Sequence, residues 1–527
     1  MLRIVASATL LLGACTIAFR SPPKAQCIIN ADCNGTSVCF YGVCKPAPAL
    51  ALSDTWAEMT QSRGTPFIQQ RSLEKTGRSD LAIAQPRTWS GVIVDTTGNR
   101  QDGYVLLQRV SLIPSRQLSF EAPTLGTRKF SVPLEAGVYH PIFFDGNADI
   151  YPPLLLADWK VDTADNNLSL NYPDLSSLTH IRGRIGPSAA NQTLGVSARV
   201  YVVQSSTQLS STATQTDGNG KFELLMAPSV VSTIPTPLSL VIGPSDVNAF
   251  VPLRTIDLTG SGVVITSQTQ LPDYYLDGIA NTASVSGTIV GADASGASTP
   301  LPGATILATT TIGGGTFTTG ALSDASGTFK LALLTSTNPD PLSYTVSIVP
   351  APSSEFGRTE VRYDLLPTGE PAPLSIKLGA RLTLSGTVLD ADGKAVSNAQ
   401  VVASPEDAAV VGASSLQALT GADGRFALRV DPNTYGLSIV PQPGSALPNG
   451  SGSAEVTTSN VDTTLTLPRG VFLCGEVTAP TSTAVPITVA GTSVRFYRDA
   501  GDAEGAMLIG VSVVDANSHY SVVLPSQ

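Results

Sequence analysis

Apolar and polar residues alternate in short runs along most of the chain, and the runs recur in one order about every 90 to 100 residues. The clearest copy spans Leu382 to Val430. It opens with an alternating run that carries Gly386, continues with a second run from Val396 to Ala403, and then reaches a turn before an aromatic residue. A period of two predicts β-strands with one buried face, and the length of the repeat suits a small β-sandwich.

Each of five copies opens with a strand that carries a glycine between two apolar residues. Period two places this glycine on the buried face, where the missing side chain lets a neighbouring strand come close. The opening glycines are Gly91, Gly183, Gly287, Gly386 and Gly475.

A turn rich in Asp, Asn or Gly precedes an aromatic residue in four of the copies. Asp and Asn bond their own backbone in such turns and Gly accepts positive φ, so we expect a tight hairpin followed by an aromatic core residue. The turn and core residues assigned in this way are Asp217, Gly220, Phe222, Asp324, Gly327, Phe329, Asp423, Gly424 and Phe426.

The succession of an SG[TK]V-like strand, an ANAxV-like run, a TDxxGxF turn and a YxLxV strand resembles the carboxypeptidase regulatory-like domain. The resemblance implies seven-stranded, transthyretin-like sandwiches that serve mostly as accessory or spacer modules. We therefore expect an all-β protein of tandem Ig/transthyretin-like sandwiches in an elongated array. Short connections predict a stiff row. The expected units are 88–176 (divergent), 177–279, 280–378, 379–468 and 469–527.

The fifth unit has fewer strands than the other four. Tyr520 begins its post-turn strand and the sequence stops at residue 527, before any YxLxV-like strand. Either a partner strand completes this incomplete sandwich or the sequence is a truncated product. An open sheet edge is a pairing hazard, so the fifth unit is predicted to be the least stable. Cys474, also in this unit, is either a small residue tolerated in a strand or half of an intermolecular disulfide.

Residues 1–14 have the form of a cleaved secretory signal peptide, with one early cation, Arg3, before an apolar run too short to span a bilayer. The run from Leu12 to Cys15 resembles the lipobox of bacterial lipoproteins. This resemblance implies that Cys15 is acylated and that residues 15–26 form a lipidated tether. The alternative is an ordinary signal peptide with a chance cysteine. Thr16 in place of the usual Asp retention signal favours the outer membrane.

Four cysteines, Cys27, Cys33, Cys39 and Cys44, lie within eighteen residues. Behind an export signal they predict a small disulfide knot over 27–44, because so short a segment buries too little apolar area to hold itself. Zinc binding is the competitor, although zinc sites usually show CxxC pairs. The segment resembles minimal EGF-like knots of some bacterial lipoproteins. Three pairings are possible, and we favour Cys27 with Cys39 and Cys33 with Cys44. Residues 45–87 are expected to be a linker.

Composition and charge disfavour two classes of function, nucleic-acid binding and zinc-dependent peptidase activity. A net charge of −10 over 527 residues gives no basic surface for nucleic acid. The three histidines, His140, His180 and His519, lie in different units and lack HExxH spacing, so the peptidase activity in the family's name has no zinc ligands here. We expect no catalytic residue, metal or cofactor.

These features together predict a non-enzymatic lipoprotein of the bacterial cell envelope, held in the membrane by N-terminal acyl chains. Its expected role is that of a structural, adhesion or interaction scaffold with a protein or polysaccharide partner. The alternative is a carbohydrate-binding surface lipoprotein, because this sandwich resembles starch-binding folds. An enzyme would require a clustered acidic or histidine-containing cleft.

Overall fold

A computed structural model of the protein describes most of residues 37–526, and these residues are almost entirely β-strand. The residues left out inside that span are 41–42, 47–50, 61–67, 76, 97–101, 114–116, 125–128, 163–165, 190–193, 205–207, 228–236, 247–249, 293–296, 352, 408–414, 443–444, 481–488 and 500–505. Within the described ranges the one helix is a 3-10 turn, Leu175–Ser177. No described helix has the length and apolar character needed to cross a membrane.

Six strands precede the first complete unit. They are β1 (Ser37–Phe40), β2 (Val43–Pro46), β3 (Ala51–Thr60), β4 (Ile68–Lys75), β5 (Gly77–Arg78) and β6 (Leu81–Ala82).

Units 1 and 2 follow, with eight strands each. Unit 1 contains β7 (Arg87–Val94), β8 (Gly103–Val110), β9 (Gln117–Pro123), β10 (Phe130–Leu134), β11 (Gly137–Asp145), β12 (Leu154–Leu155), β13 (Trp159–Val161) and β14 (Asn166–Asn171). Unit 2 contains β15 (Thr179–Gly186), β16 (Ala198–Gln204), β17 (Gln208–Leu209), β18 (Thr214–Gln215), β19 (Lys221–Met226), β20 (Leu238–Pro244), β21 (Arg254–Asp257) and β22 (Gln268–Tyr275).

Units 3 and 4 are the most regular. Unit 3 contains β23 (Ile279–Ala292), β24 (Ser298–Pro300), β25 (Thr305–Ile312), β26 (Gly315–Leu322), β27 (Thr328–Ser336), β28 (Leu342–Val349), β29 (Thr359–Leu365) and β30 (Leu374–Leu378). Unit 4 contains β31 (Leu382–Leu389), β32 (Gln400–Pro405), β33 (Leu416–Leu419), β34 (Arg425–Val430), β35 (Asn433–Val440), β36 (Gly450–Val456) and β37 (Val461–Thr466). The last strands are β38 (Gly470–Thr478), β39 (Ser493–Asp499), β40 (Ala506–Val513) and β41 (His519–Pro525).

Two sheets face each other in every unit, as unit 4 illustrates. Its glycine-bearing strand β31 lies between β34, which is antiparallel, and β37, which is parallel. The other sheet has the order β33-β32-β35-β36. Apolar residues of both sheets meet in one core. The predicted all-β class and the tandem sandwiches are therefore confirmed, and the seven strands of unit 4 agree with the strand count that the family resemblance implies.

The opening glycine lies on the buried face in all five units, as predicted, and there it faces the ring of the aromatic core residue, a pairing that the sequence did not reveal. In unit 4, a Cβ on Gly386 would meet Phe426 Cε1 at 2.8 Å and would also press on the carbonyl oxygen of Thr463, in the parallel strand. Cross-strand register pairs the glycine with the aromatic residue each time. The five pairs are Gly91 with Phe130, Gly183 with Phe222, Gly287 with Phe329, Gly386 with Phe426, and Gly475 with Tyr520.

The turn before each aromatic residue does not form the hairpin that we expected. The strands on either side of it lie in different sheets: β33 pairs with β32, whereas β34 pairs with β31. The turn is tight because Asp and Gly have the roles predicted for them, but it carries the chain across the sandwich. Local turn chemistry does not specify which sheet the next strand joins. Here the contact of the aromatic ring with the core specifies it.

In the segment expected to be a linker, residues 45–87, the strands β3 to β6 instead complete the fifth sandwich. Strand β3 pairs antiparallel with β39, β4 extends the same sheet, and β5 and β6 run parallel to β38. The resulting order β40-β39-β3-β4 matches β33-β32-β35-β36 of unit 4. Unit 5 is thus complete, and the expectation of an incomplete sandwich is wrong. The partner strands come from the same chain, about 400 residues away.

Because the first strands of the chain belong to the last unit, unit 5 also adjoins unit 1. The five units therefore form a closed row, where the sequence predicted an elongated array. Residues 83 and 87 join unit 5 to unit 1 directly, and residues 466–470 join unit 4 to unit 5. Side-chain or backbone contacts accompany each of the five junctions. They are Arg199 to Asp149 (3.1 Å), Leu253 N–H to Thr316 O (2.8 Å), Arg358 N–H to Asp431 (2.9 Å), Arg469 to Asp392 (3.2 Å) and Arg71 to Glu135 (2.7 Å).

The glycine contact gives a first testable prediction. Gly386→Ala should destabilise unit 4 by about 1 to 3 kcal/mol, because its methyl group overpacks against Phe426 and the neighbouring backbone. Hydrogen exchange of peptides from β31 and β34 measures the effect. Gly379→Ala is the matched control, since no atom lies within 4 Å of its added Cβ. Equal exchange in the two variants would contradict the overpacking argument.

The closure gives a second prediction. Leu73 on β4 is 3% exposed and packs in the core of unit 5. Leu73→Asp should cost roughly 2 to 4 kcal/mol by burying an unpaired carboxylate, and faster exchange should appear in residues 493–499 and 519–525. Ser72→Asp, at an exposed position of the same strand, should leave both segments unchanged. Wild-type exchange of 493–499 in Leu73→Asp would mean that the two ends do not pair in solution.

Candidate functional site

The most distinctive place in the molecule is where its two ends meet, which we call the closure site: β3 to β6, the strands β38 and β39 that pair with them, and the unit 1 residues that they touch. Backbone bonds continue the pairing beyond the strands. Ser79 N–H donates to Cys474 O at 2.7 Å, and Ile83 N–H donates to Thr478 O at 2.8 Å. The N-terminal segment is therefore held along β38 from Leu473 to Thr478.

One core joins the two ends of the chain. It contains Ala57, Met59, Leu73, Leu81 and Ile83 from the N-terminal side, and Leu473, Val477, Phe496 and Tyr520 from the C-terminal side. Tyr520 is completely buried, and its hydroxyl donates to Ser79 O at 2.5 Å. Burial raises the pKa of Tyr520, which keeps the phenol neutral and able to donate.

Polar side chains on the outer face of β3 and β4 meet unit 1. Glu58 is 1% exposed and accepts a hydrogen bond from Gln70 Nε2 at 3.2 Å. Gln70 also accepts from Leu112 N–H at 2.8 Å and bonds Ser111 Oγ at 3.0 Å. These bonds satisfy buried groups on both sides, so they fix the orientation of unit 5 against unit 1.

Glu135 of unit 1 is the charge at the centre of this junction. One carboxylate oxygen accepts from Arg71 of β4 at 2.7 Å, and the other accepts from Arg109 of β8 at 2.9 Å. Burial disfavours the charge on Arg109, but its hydrogen bond to Glu135 and the neighbouring Tyr139 and Glu135 more than offset this, so its pKa is raised. Tyr139 donates to Glu135 O at 3.0 Å. The carboxylate thus bridges two units.

The predicted cysteine residues lie partly outside the described residues. Cys15, Cys27 and Cys33 precede residue 37, so their predicted lipidation and pairing remain predictions. Cys39 and Cys44 stand opposite each other in the backbone register of the β1–β2 hairpin.

Cys474 has a more specific role than that of a small residue tolerated in a strand. It is completely buried on β38 and is disulfide-bonded. Its Sγ lies 3.4 Å from Gly77 O, on β5.

The predicted turn residues are structural, and they lie far apart in separate units. Asp324 accepts from Ser326 N–H at 2.8 Å and Thr328 N–H at 2.9 Å, and hydrogen bonds from the Thr328 and Ser326 side chains help to lower its pKa. Asp217 binds its own turn in the same way, and Asp423 accepts from Arg425 N–H at 3.1 Å. Gly220, Gly327 and Gly424 have φ of 76°, 74° and 76°. Each turn glycine thus adopts the positive φ for which it was predicted.

Residues with catalytic potential do not converge. His140 bonds Asp158 at 2.8 Å and His180 bonds Glu223 at 2.7 Å, in different units. The hydrogen bond from His180, with help from Arg182, lowers the pKa of Glu223. Among the residues that the structure describes, no three His, Cys, Asp or Glu side chains are grouped to hold a metal ion.

Tryptophan side chains do not form an exposed sugar-stacking surface in unit 1. Trp89 and Trp159 are buried and stack on each other with ring centroids 5.1 Å apart, and Phe130 stacks on Trp159 at 5.5 Å. A groove of about 680 Å³ on unit 3 is lined instead by hydroxyl groups, Lys330 and the apolar Leu322 and Leu374. Leu322 is 68% exposed beside it.

Glu135→Gln tests the junction between units 5 and 1. The substitution replaces a largely buried carboxylate with a neutral amide. It should lower the free energy of unfolding by about 1 to 3 kcal/mol, because two guanidinium groups lose their charged partner. Hydrogen exchange should rise in β4 and β8. Asp392→Asn is the control, because it removes the exposed ion pair with Arg469. It should change the free energy of opening measured by hydrogen exchange by less than about 0.5 kcal/mol. Unchanged exchange in Glu135→Gln would show that the carboxylate does not hold the junction.

No protein-family model matches the chain, and no curated protein is significantly similar to it. Solved structures that align with it are pilins and other bacterial proteins. The shaft pilin SpaA of Lactobacillus rhamnosus GG aligns over 39% of this chain and 100% of its own, at 12% identity and a TM-score of 0.19. A streptococcal ancillary pilin covers 55% of this chain and all of its own, at 12% identity and a TM-score of 0.21. The Bacillus anthracis TIE protein covers 82% of this chain and 71% of its own, at 12% identity and a TM-score of 0.17. Scores this low carry no argument about function.

Proposed function

We propose that this protein is a non-enzymatic structural or adhesion scaffold on the bacterial cell surface, held to a membrane by acyl chains on Cys15. The observation that carries the proposal is the closure site. Because the first strands of the chain complete the last unit, a tether at the N-terminus holds all five sandwiches as one closed particle. Such a closure suits a scaffold that bears load at its anchor, because every unit is in contact with two neighbouring units.

The arrangement of side chains supports a scaffold better than an enzyme. The charged groups that are most buried, Glu58 and Glu135, are engaged in contacts that hold strands and units together. Histidine and turn carboxylates are spread over separate units. Outer sheet faces rich in Ser and Thr offer broad polar surfaces for a protein or polysaccharide partner.

Sorting and anchoring follow from the N-terminal sequence. Signal-peptide removal before Cys15 and its acylation would place the chain in the cell envelope, with the outer membrane favoured by Thr16. Cys15 precedes β1 by 22 positions. With β3 to β6 folded into unit 5, the anchor is separated from the closed units by the residues that precede β3, so we expect the particle to lie close to the membrane.

Metabolic labelling with a fatty acid tests the anchor. The wild-type chain should incorporate label and sediment with membranes, and Cys15→Ala should do neither. Thr16→Ala, at the position after the modified cysteine, is the matched control and should be labelled like the wild type. A labelled Cys15→Ala chain, or an unlabelled wild-type chain, would overturn the anchor. Loss of attachment of whole cells to their surface or partner in Cys15→Ala, with the secreted chain folded, supports the scaffold role.

Carbohydrate binding is the second candidate, favoured by the groove on unit 3. Hydroxyl groups of Ser286, Thr288 and Ser375 beside Leu322 give it the mixed polar and apolar lining that sugars use. Polysaccharide pull-downs with the purified full-length chain separate the two roles. Retention that is lost in Leu322→Asp favours carbohydrate binding, whereas no retention of any polysaccharide removes this alternative.

A further inference from the structure

Strand β40 is an edge strand without the protection that the corresponding strands of the other units have. It is eight residues long and stands last in the sheet β4-β3-β39-β40, where no described residue pairs with its outer edge. The corresponding strand β9 contains Glu121 and ends at Pro123, unit 2 has the two-residue strands β17 and β18, and β33 has four residues. The outer edge of β26 is bridged by Leu253 of unit 2. Charge, proline, shortness and cover keep edge strands from pairing with other chains, and β40 has none of these devices.

Apolar side chains are exposed along the same strand. Leu508, Val511 and Val513 are 43%, 48% and 47% exposed, and none of the eight residues of β40 is charged. A single exposed apolar residue is ordinary on a protein surface, whereas a group of them on one element indicates a contact surface.

The backbone of Val511 and Val513 points away from the sheet. Val514 N–H donates to Thr492 O at 2.9 Å, and Val514 O accepts from Gly491 N–H at 2.8 Å, so Val514 is bonded on the side of β39. The direction of hydrogen bonding alternates along an antiparallel strand, so the N–H and C=O groups of Val511 and Val513 face the outer edge. These groups can therefore bind a further strand.

We propose that β40 pairs with β40 of a second copy of this chain, antiparallel about a two-fold axis, so that two four-stranded sheets become one continuous sheet. Val511 of each copy lies opposite Val513 of the other, which pairs all their edge-facing backbone groups, and Ser512 lies at the axis. The β-bulge of β40 falls between the pairs at Phe496 and Tyr497, so this segment is regular. The new pair continues the sheet in which β3 and β39 join the two ends of the chain.

A second copy fits this edge better than a lipid surface does. Unpaired backbone groups need a strand as their partner, and hydrocarbon offers them none. Two uncharged strands bring no like charges together across the pair. Arg495 is the cation opposite Val511, on β39. In the dimer, the two copies of Arg495 are three strand spacings apart, about 14 Å, which exceeds the Debye length of about 8 Å at physiological salt.

The size of the contact sets the expected affinity. Stable protein interfaces bury about 1,200 to 2,000 Å², and one pair of short strands lies at or below the low end of this range. We therefore expect a reversible dimer with a dissociation constant of about 10 to 100 µM. The pairing does not involve Cys15, so it holds or fails independently of the acyl anchor and of the proposed function.

Sedimentation velocity of the full-length Cys15→Ala chain, from about 5 to about 500 µM, tests the dimer without acyl chains. The weight-average mass should rise from that of a monomer toward that of a dimer. Val511→Lys should raise the dissociation constant about tenfold or more, because it puts a cation beside the axis in each copy. Val138→Lys is the matched control, since Val138 is 47% exposed on the inner strand β11, and it should leave the constant unchanged. A monomer at every concentration, or equal dimerisation of the two variants, overturns the proposal.

Hydrogen exchange locates the contact. Peptides that cover β40 should exchange roughly three- to sixfold more slowly at the highest concentration than at the lowest, by mass action, while peptides from β33 stay unchanged. Slowing that is confined to another strand places the dimer contact elsewhere and overturns the assignment. Binding of a monomeric Cys15→Ala chain to phosphatidylcholine vesicles that is lost in Val511→Lys also overturns it, because the edge would then bind lipid.

Discussion

The opening strand of each unit must be paired at both of its edges, and the architecture follows from this requirement. One edge takes the post-turn strand, whose aromatic ring covers the opening glycine. The other edge takes a parallel strand. In units 1, 3, 4 and 5 its backbone passes so close that a Cβ on the glycine would not fit, whereas in unit 2 the register shifts beside Gly183 and the added Cβ would meet only the ring of Phe222. In units 1 to 4 that parallel strand is β14, β22, β30 or β37, the last strand of the same unit. In unit 5 residues 77–82 fill that place.

The closure resolves the hazard of an open edge by using the start of the chain. An exposed sheet edge invites pairing with other molecules, and closed β architectures remove it by pairing the first and last strands. The long separation along the chain is no obstacle, because each doubling of a loop adds only about 0.6 kcal/mol to its closure entropy. The shared core around Tyr520 and the Glu135 junction supply the favourable contacts.

Partly buried charges at two junctions orient one unit against the next. Asp431 accepts from Arg358 N–H and pairs with Arg381 at 3.4 Å between units 3 and 4, and Glu135 has the corresponding role between units 5 and 1. These groups are partly or largely buried, so each contact specifies an orientation that apolar packing alone would leave loose. The exposed outer faces remain available for partners, as expected of a scaffold.

Local chemistry along the sequence determined the strands, the buried glycines, the aromatic core residues and the positive-φ turns, because each depends on residues close together in the chain. It also revealed that the fifth copy of the repeat reaches residue 527 before any YxLxV-like strand. Only the tertiary structure decided where the strands that complete this unit come from. Residues 51–82 have a short and irregular alternation, which resembles a linker until Ala57, Met59 and Leu73 meet the core of unit 5. The same holds for Cys474, whose Sγ lies against the backbone of Gly77, about 400 positions away. Contacts between distant segments leave no local pattern, and so the closure of the molecule could not be predicted from the repeat alone.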